Sequence, residues 1–358
     1  MRAAVWSDTG HPLEVRDLDL EPVGPGLVKV RMAASGVCHT DLTIVRGALA
    51  HPAPAVLGHE GAGVVEEVGE GVTRVAPGDH VVLSWVPQCG ECYACRHGDA
   101  HVCEAYPRGR LPSPFRLDGE TVHQLMNTGT FAEATIVPER GVVRIDEDIP
   151  LHLAALIGCS VLTGTGAALH TADIEPGDHV AVFGCGGVGL NTVQGARLAG
   201  AGTIVAVDTN PAKLELARRF GATHVVDASS DDPVEVLRDL TDGRGVDVAL
   251  EVIGTVGTVT QALAATRRAG QTIVVGVAPA DAVLELPLFA FMRSAVRLVG
   301  CYYGSSTVVD DVPKLLEHYR AGELLLDELV SDEIELDDVQ GALDAIEAGT
   351  VTRSVIRY

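Results

Sequence analysis

The run Cys38-His39-Thr40-Asp41 packs a soft metal ligand, an imidazole, a hydroxyl and a carboxylate into four consecutive residues. Gly58-His59-Glu60 adds an imidazole and a second carboxylate, and Gly158-Cys159-Ser160 adds a second thiol. Cys38, His59 and Cys159 together would form a Cys2His zinc site whose fourth position stays open to water or substrate, the arrangement of a catalytic zinc. Each residue also has a plainer reading. A single Cys serves as a small apolar core residue, Asp41 can cap a helix, Glu60 can pair with a surface base, and His39 can be an exposed loop residue.

A second group is local. Cys89, Cys92 and Cys95 are followed by Cys103, a spacing that lets four thiolates surround one zinc and staple a loop with little core of its own. An interaction module of zinc-finger type, or unligated thiols, are the alternatives, and the acidic surroundings speak against a DNA-reading finger.

A third signal is Gly184-Cys185-Gly186-Gly187-Val188-Gly189. The apolar stretch His179–Phe183 reads as a strand before it, a helical stretch follows to Leu198, and Thr203–Asp208 reads as the next strand. Glycines here permit a tight turn and close approach of a pyrophosphate to a helix N-terminus. Asp208, 19 residues past Gly189, can bind an adenosine ribose and would repel a 2′-phosphate, which favours NAD over NADP; otherwise it is a turn residue.

The elements that must position these groups differ along the chain. Residues 1–35 and 62–86 alternate apolar and polar with Pro/Gly punctuation and read as short antiparallel strands of a small β-barrel, with the Cys38 segment inserted as a loop and short helix. Residues 104–130, carrying Arg108, Arg110 and Arg116, read as an irregular loop. From about residue 161, strands alternate with helices, as in a doubly wound parallel sheet. Stretches near 312–320 and 336–348 read as helices, and Ser354–Tyr358 as a strand returning to the first domain. The expected division is a catalytic domain of residues 1–160 and 302–358, including a metal lobe at 87–104, and a nucleotide-binding domain of residues 161–301.

With 358 residues the chain is long enough for two domains. A net charge of −23 argues against a bare nucleic-acid or anionic-membrane partner. No signal segment and no apolar run of bilayer length is read, so the expectation is a cytoplasmic protein with reduced thiols.

In combination, the runs GVCHTDL and GHEGAGVV, the four-Cys lobe and the glycine-rich loop resemble the zinc-dependent alcohol dehydrogenases of the medium-chain dehydrogenase/reductase family, close to its class III-like and its aryl or allyl alcohol branches. The resemblance spans essentially the whole chain. It implies an α/β fold, a GroES-like β-barrel catalytic domain beside a Rossmann domain, and two zinc ions with NAD per subunit. By position it assigns Cys38, His59 and Cys159 to the catalytic zinc, and Cys89, Cys92, Cys95 and Cys103 to the structural one. Asp41 would orient His59, Glu60 would lie behind the metal, and Thr40 would take the substrate proton. Coenzyme contacts would come from His39, Thr163, Gly184, Gly186, Gly187, Val188, Gly189, Asp208, Lys213, Ile253, Val277 and Arg353. Leu49, Trp85, Leu125, Met126 and Tyr302 would line the substrate pocket, with Val277 near it.

Thr43 stands where liver-type members carry the His that ends their proton relay, so the relay must leave through ribose hydroxyls and water or through another His such as His51. The pocket residues favour a hydrophobic primary alcohol or aldehyde. A thiol-dependent formaldehyde dehydrogenase is the alternative; its glutathione branch carries an Asp at the position of Leu49, and the loop arginines would have to anchor its charged substrate. A variant that retains NAD and recycles it is a further possibility. A non-catalytic family member is the alternative of another class, but such members lose the zinc ligands. The family also implies a homodimer or homotetramer built on the nucleotide-domain edge near residues 271–300.

Overall fold

A computed structural model describes residues 1–105 and 111–358. Arg108 and Arg110 of the expected substrate-rim loop lie outside the described residues. The chain divides into two compact units: Met1–Cys159 with Thr307–Gly322 and Leu326–Tyr358, and Ser160–Ser306 with Glu323–Leu325.

The first unit is built on antiparallel strands, as the alternating pattern predicts. Its long central strand, Leu27–Gly36, buries alternate residues Val28, Val30 and Met32. It pairs with Glu60–Val68, Ala134–Pro138 and the closing strand Ser354–Arg357. The register sets Gly36 opposite Glu60. A Cβ on Gly36 would lie 2.2 Å from Glu60 Oε2, so glycine leaves the space that this carboxylate fills. A second sheet holds Arg2–Trp6 and Glu14–Asp17 beside Ala55–Val56 and Glu120–Gln124. One apolar cluster, including Trp6, Leu42, Ile44, Phe115, Phe131 and Leu343, packs against it.

The second unit is a parallel sheet in the spatial order His224–Asp227, Thr203–Asp208, His179–Phe183, Val246–Glu251, Thr266–Val274, Arg297–Gly300. All five pairings are parallel. Sequence order therefore runs outward in one direction from His179–Phe183, then reverses and continues from Val246–Glu251: the doubly wound arrangement. Val180, Ala181, Val182 and Phe183 are all buried, as expected of a strand covered on both faces.

Two expectations are corrected. The 104–130 stretch, expected to be an irregular loop, contains an antiparallel strand pair, Phe115–Leu117 with Glu120–Gln124. The helix Leu151–Thr171, 21 residues, is long and apolar enough to cross a membrane by length and composition. Its hydrophobic window is 83% buried within the protein, the pattern of a core helix.

Candidate metal and nucleotide sites

Cys38 immediately precedes the short helix His39–Val45. Asp41, in the first turn, is fully buried and turns back on the site. Its Oδ2 accepts the Cys38 N–H at 3.1 Å and its Oδ1 accepts the Gly58 N–H at 3.0 Å. The same Oδ1 lies 3.4 Å from His59 Nδ1, long for a hydrogen bond but close enough to hold the ring's orientation. With Nδ1 turned to Asp41, the opposite ring nitrogen is the one presented to a metal.

Cys159 reaches the same place from a π-helical turn, Ile157–Val161. Such turns commonly mark functional sites. A Cβ on Gly158 would lie 2.2 Å from the Leu83 carbonyl oxygen, so glycine lets this turn pack directly on strand His80–Leu83. Ligand atoms of Cys38, His59, Glu60 and Cys159 all fall within 4.8 Å of one another, and all four residues are buried.

The electrostatics suit a cation. Cys38 is held well below the ordinary thiol range, chiefly because the Cys159 thiol donates to it, with Arg353 and His59 assisting. Cys159 is pushed up by that same bond and by burial. Left to themselves, the two sulfurs share one proton; a divalent ion would hold both as thiolates. Burial alone would lower His59, but Asp41 and the Cys38 thiolate outweigh it and raise it. Burial pushes Glu60 up to about 7 against the pull of Arg353. Neither Glu60 oxygen has a hydrogen-bond partner, although Arg353 Nη1 lies 3.3 Å from Oε1. A buried carboxylate left so incompletely satisfied, beside two thiols and an imidazole, is the donor set zinc prefers.

The local four-Cys group closes as expected. Cys89 and Cys95 sulfurs are 3.9 Å apart, as are those of Cys92 and Cys103. Zinc–sulfur bonds of ~2.3 Å in a tetrahedron require about 3.8 Å between sulfurs. Backbone N–H groups of Glu91 and Cys92 point at Cys89 Sγ, those of Cys95 and Glu104 at Cys92 Sγ, and that of Cys89 at Cys103 Sγ. These bonds favour thiolates. No disulfide forms; the eight cysteines are free.

In the second unit, Gly184 adopts φ +100° as the chain turns from strand into the helix Gly187–Leu198. A Cβ on Gly189 would lie 1.8 Å from the Gly184 carbonyl oxygen, whereas one on Gly186, at the N-cap, would meet nothing within 4 Å. The helix end is therefore tightly built behind and open in front, a cradle that fits a pyrophosphate. Asp208 Oδ2 accepts the Cys185 N–H at 2.8 Å and Oδ1 accepts the Asn210 N–H at 2.9 Å, so this carboxylate also shapes the glycine-rich turn. Val188 and Lys213 are half-buried, on helices Gly187–Leu198 and Pro211–Arg219. Thr163 is half-buried on Leu162–Gly166, and Ile253, Val277 and Tyr302 are exposed.

The remaining expected site residues divide. Thr40 is half-buried with its hydroxyl 3.9 Å from Cys38 Sγ, and His39 is exposed beside it. Thr43 donates to the His39 carbonyl at 2.8 Å. Arg353 is buried, with Nη1 also donating to the Val37 carbonyl at 3.1 Å. Trp85 is half-buried, and Leu49 and Met126 pack partly buried against the apolar core. Leu125, at 2% exposure, belongs to that core itself. Met126 and Asn127 both take the left-handed region, φ 48° and 52°, a strained pair beside the expected pocket that no residue pattern announced.

Known proteins agree with this picture. A family model described as an alcohol dehydrogenase GroES-like domain matches residues 24–147, and one described as a zinc-binding dehydrogenase matches residues 187–320. An S-(hydroxymethyl)glutathione dehydrogenase of Escherichia coli O1:K1 is 40% identical over 368 residues, covering 100% of this chain and 99% of its own. The Drosophila melanogaster alcohol dehydrogenase class-3 is 40% identical over 370 residues, with 100% and 97% covered. Among solved structures, the benzyl alcohol dehydrogenase of Acinetobacter calcoaceticus superposes with TM-score 0.93 at 31% identity, covering 99% of this chain and 98% of that one.

Proposed function

The chain belongs to the zinc-dependent alcohol dehydrogenases of the medium-chain dehydrogenase/reductase family, and from that premise we propose that it interconverts a hydrophobic primary alcohol, aromatic or allylic, and its aldehyde, using NAD. The convergence of Cys38, His59 and Cys159 in one buried cluster supports the chemistry. Bound zinc supplies a Lewis acid for the alcohol oxygen, and bound NAD supplies the hydride acceptor. The chain's own residues do the rest. Asp41 holds His59 and the Cys38 backbone in register for the metal. Thr40 Oγ1 takes the substrate hydroxyl proton. The Thr43 hydroxyl donates to the His39 carbonyl, and His51 is the chain's own candidate to pass the proton onward. Gly186 and its helix N-terminus would hold the pyrophosphate, and Asp208 the adenosine ribose, with Lys213 alongside.

Substrate choice rests on one observation above others. Arg116, a candidate anchor for a charged thiol adduct, is occupied: Nε meets Glu21 at 2.9 Å, while Nη1 donates to the carbonyls of Ser113 and Phe115. Leu49, Trp85 and Met126, the pocket residues the resemblance implies, are apolar and offer a charged adduct no anchor. The second reading, oxidation of a formaldehyde–thiol adduct, draws support from the relatives named for S-(hydroxymethyl)glutathione. Initial rates with zinc-loaded protein and NAD distinguish them. Turnover of benzyl alcohol, cinnamyl alcohol or hexanol without thiol supports the first reading. Activity only with formaldehyde plus glutathione or mycothiol overturns it.

A homo-oligomer is part of the proposal. Strand Arg297–Gly300 is the edge of its sheet among the described residues, and Leu288, Phe289 and Met292 nearby in sequence are 78%, 70% and 65% exposed. Apolar side chains so exposed favour a second copy as their cover.

A further inference from the structure

Strands His179–Phe183 and Val246–Glu251 are neighbours at the point where the strand order reverses. Dinucleotides bind outside the carboxyl ends of strands at such a point. Glu251 is the last residue of its strand and pairs in register with Phe183, one residue before Gly184. Its side chain is fully buried. Oε1 accepts the N–H of Ile253 at 2.9 Å and of Gly254 at 2.8 Å, and the Thr258 hydroxyl at 2.7 Å. The Glu251 carbonyl accepts the N–H of Val275 at 2.8 Å and of Gly276 at 3.1 Å. This one residue thus fixes both turns, that of Ile253 and that leading to Val277.

The other oxygen, Oε2, is buried with no hydrogen-bond partner, and no ion pair among the described residues offsets the charge. Holding the turn does not require a charge, since an amide oxygen would accept the same three donors. A buried carboxylate oxygen left without a donor is costly unless another charge offsets it. The coenzyme's nicotinamide ring is cationic when oxidised and neutral when reduced, and Coulomb attraction through protein extends beyond contact. We propose that Glu251 is a positioning residue whose buried carboxylate, at the switch-point end of its strand, biases the dinucleotide site toward the oxidised coenzyme. The proposal rests on the use of NAD argued above.

The test is the ratio of dissociation constants for oxidised and reduced NAD, measured by calorimetry on the zinc-loaded protein. Glu251→Gln keeps the acceptor and removes the charge. It is expected to weaken oxidised NAD relative to reduced NAD by about threefold or more. Glu251→Asp keeps the charge with a shorter reach, and Thr258→Val removes one neutral hydrogen bond. Both are expected to keep the wild-type ratio, even where both affinities fall. Equal weakening of the two forms in Glu251→Gln, or the same ratio change in Glu251→Asp, overturns the proposal. Failure of the wild-type protein to bind either form would instead refute the NAD reading, and it needs no variant to detect.

Discussion

Replacing Asp41 by Asn isolates what a buried residue outside the metal contributes to holding it. Asp41 accepts two backbone N–H groups, one on each oxygen, and faces His59 Nδ1. Asparagine has one oxygen, so in either orientation an NH2 group opposes the N–H of Cys38 or of Gly58. A buried donor left without an acceptor costs about 1–3 kcal/mol, or roughly 5- to 150-fold. Because the affected segments carry Cys38 and His59, that penalty appears as lost metal affinity, consistent with the 10- to 100-fold typical of groups behind metal ligands. Competition for zinc with a chromogenic chelator resolves two sites per chain. The expected result is a 10- to 100-fold weaker site of the Cys38 cluster, with the four-Cys site unchanged as an internal control. Equal weakening of both sites, or of neither, would refute the reasoning.

Further expectations concern other parts of the molecule. Thr40→Ala should lower kcat by about 100-fold or more with zinc content unchanged, and Thr40→Ser should recover most of it; equal loss in both variants would remove Thr40 from the proton path. Cys92→Ser should reduce bound zinc from two per chain to one and expose residues 87–104 to protease, because from Cys89 to Glu104 only Ala94, Ala100 and Cys103 are buried while Tyr93 and Val102 are exposed; a protease-resistant variant would show the staple to be dispensable. Burial would raise Asp247, but the His179 N–H at 2.8 Å and Arg267 outweigh it and hold it below the usual range. Its contribution is therefore complete above an unfolded value of about 4 and is lost as pH falls through the lower folded one. The Tm gap between wild type and Asp247→Asn should shrink below about pH 4, and a constant gap from pH 7 to pH 3 would contradict this. Phe289→Glu should shift the light-scattering mass toward the monomer; an unchanged mass moves the interface elsewhere.

Local chemistry was legible in the chain because local geometry made it so. Cys89, Cys92, Cys95 and Cys103 lie close enough in sequence that few backbone paths separate their sulfurs. Gly184–Gly189 follows a strand and opens a helix, so neighbouring residues alone specify a tight turn of the kind that fits a phosphate. The parallel sheet is readable from its alternating elements, and the closing strand from the run Ser354–Tyr358. Residue types suggest the long-range set Cys38, His59 and Cys159 and the family resemblance assigns it, since spacing alone leaves each residue a plainer alternative.

Tertiary structure decided what depends on who faces whom across the fold. Glu60 joins the metal cluster because strand register sets it against Gly36. Arg353 meets Glu60 because the last strand returns to the central one. Cys159 is aimed by a π turn that no apolar period signals, and Leu125 proves to be core because the elements around it close over it. Glu251 ends an apolar strand, and only the sheet order puts its unsatisfied oxygen at the switch point. Side-chain type and spacing encode what a residue can do, but burial and partners are properties of the packed chain, and these decide which of those capacities is used.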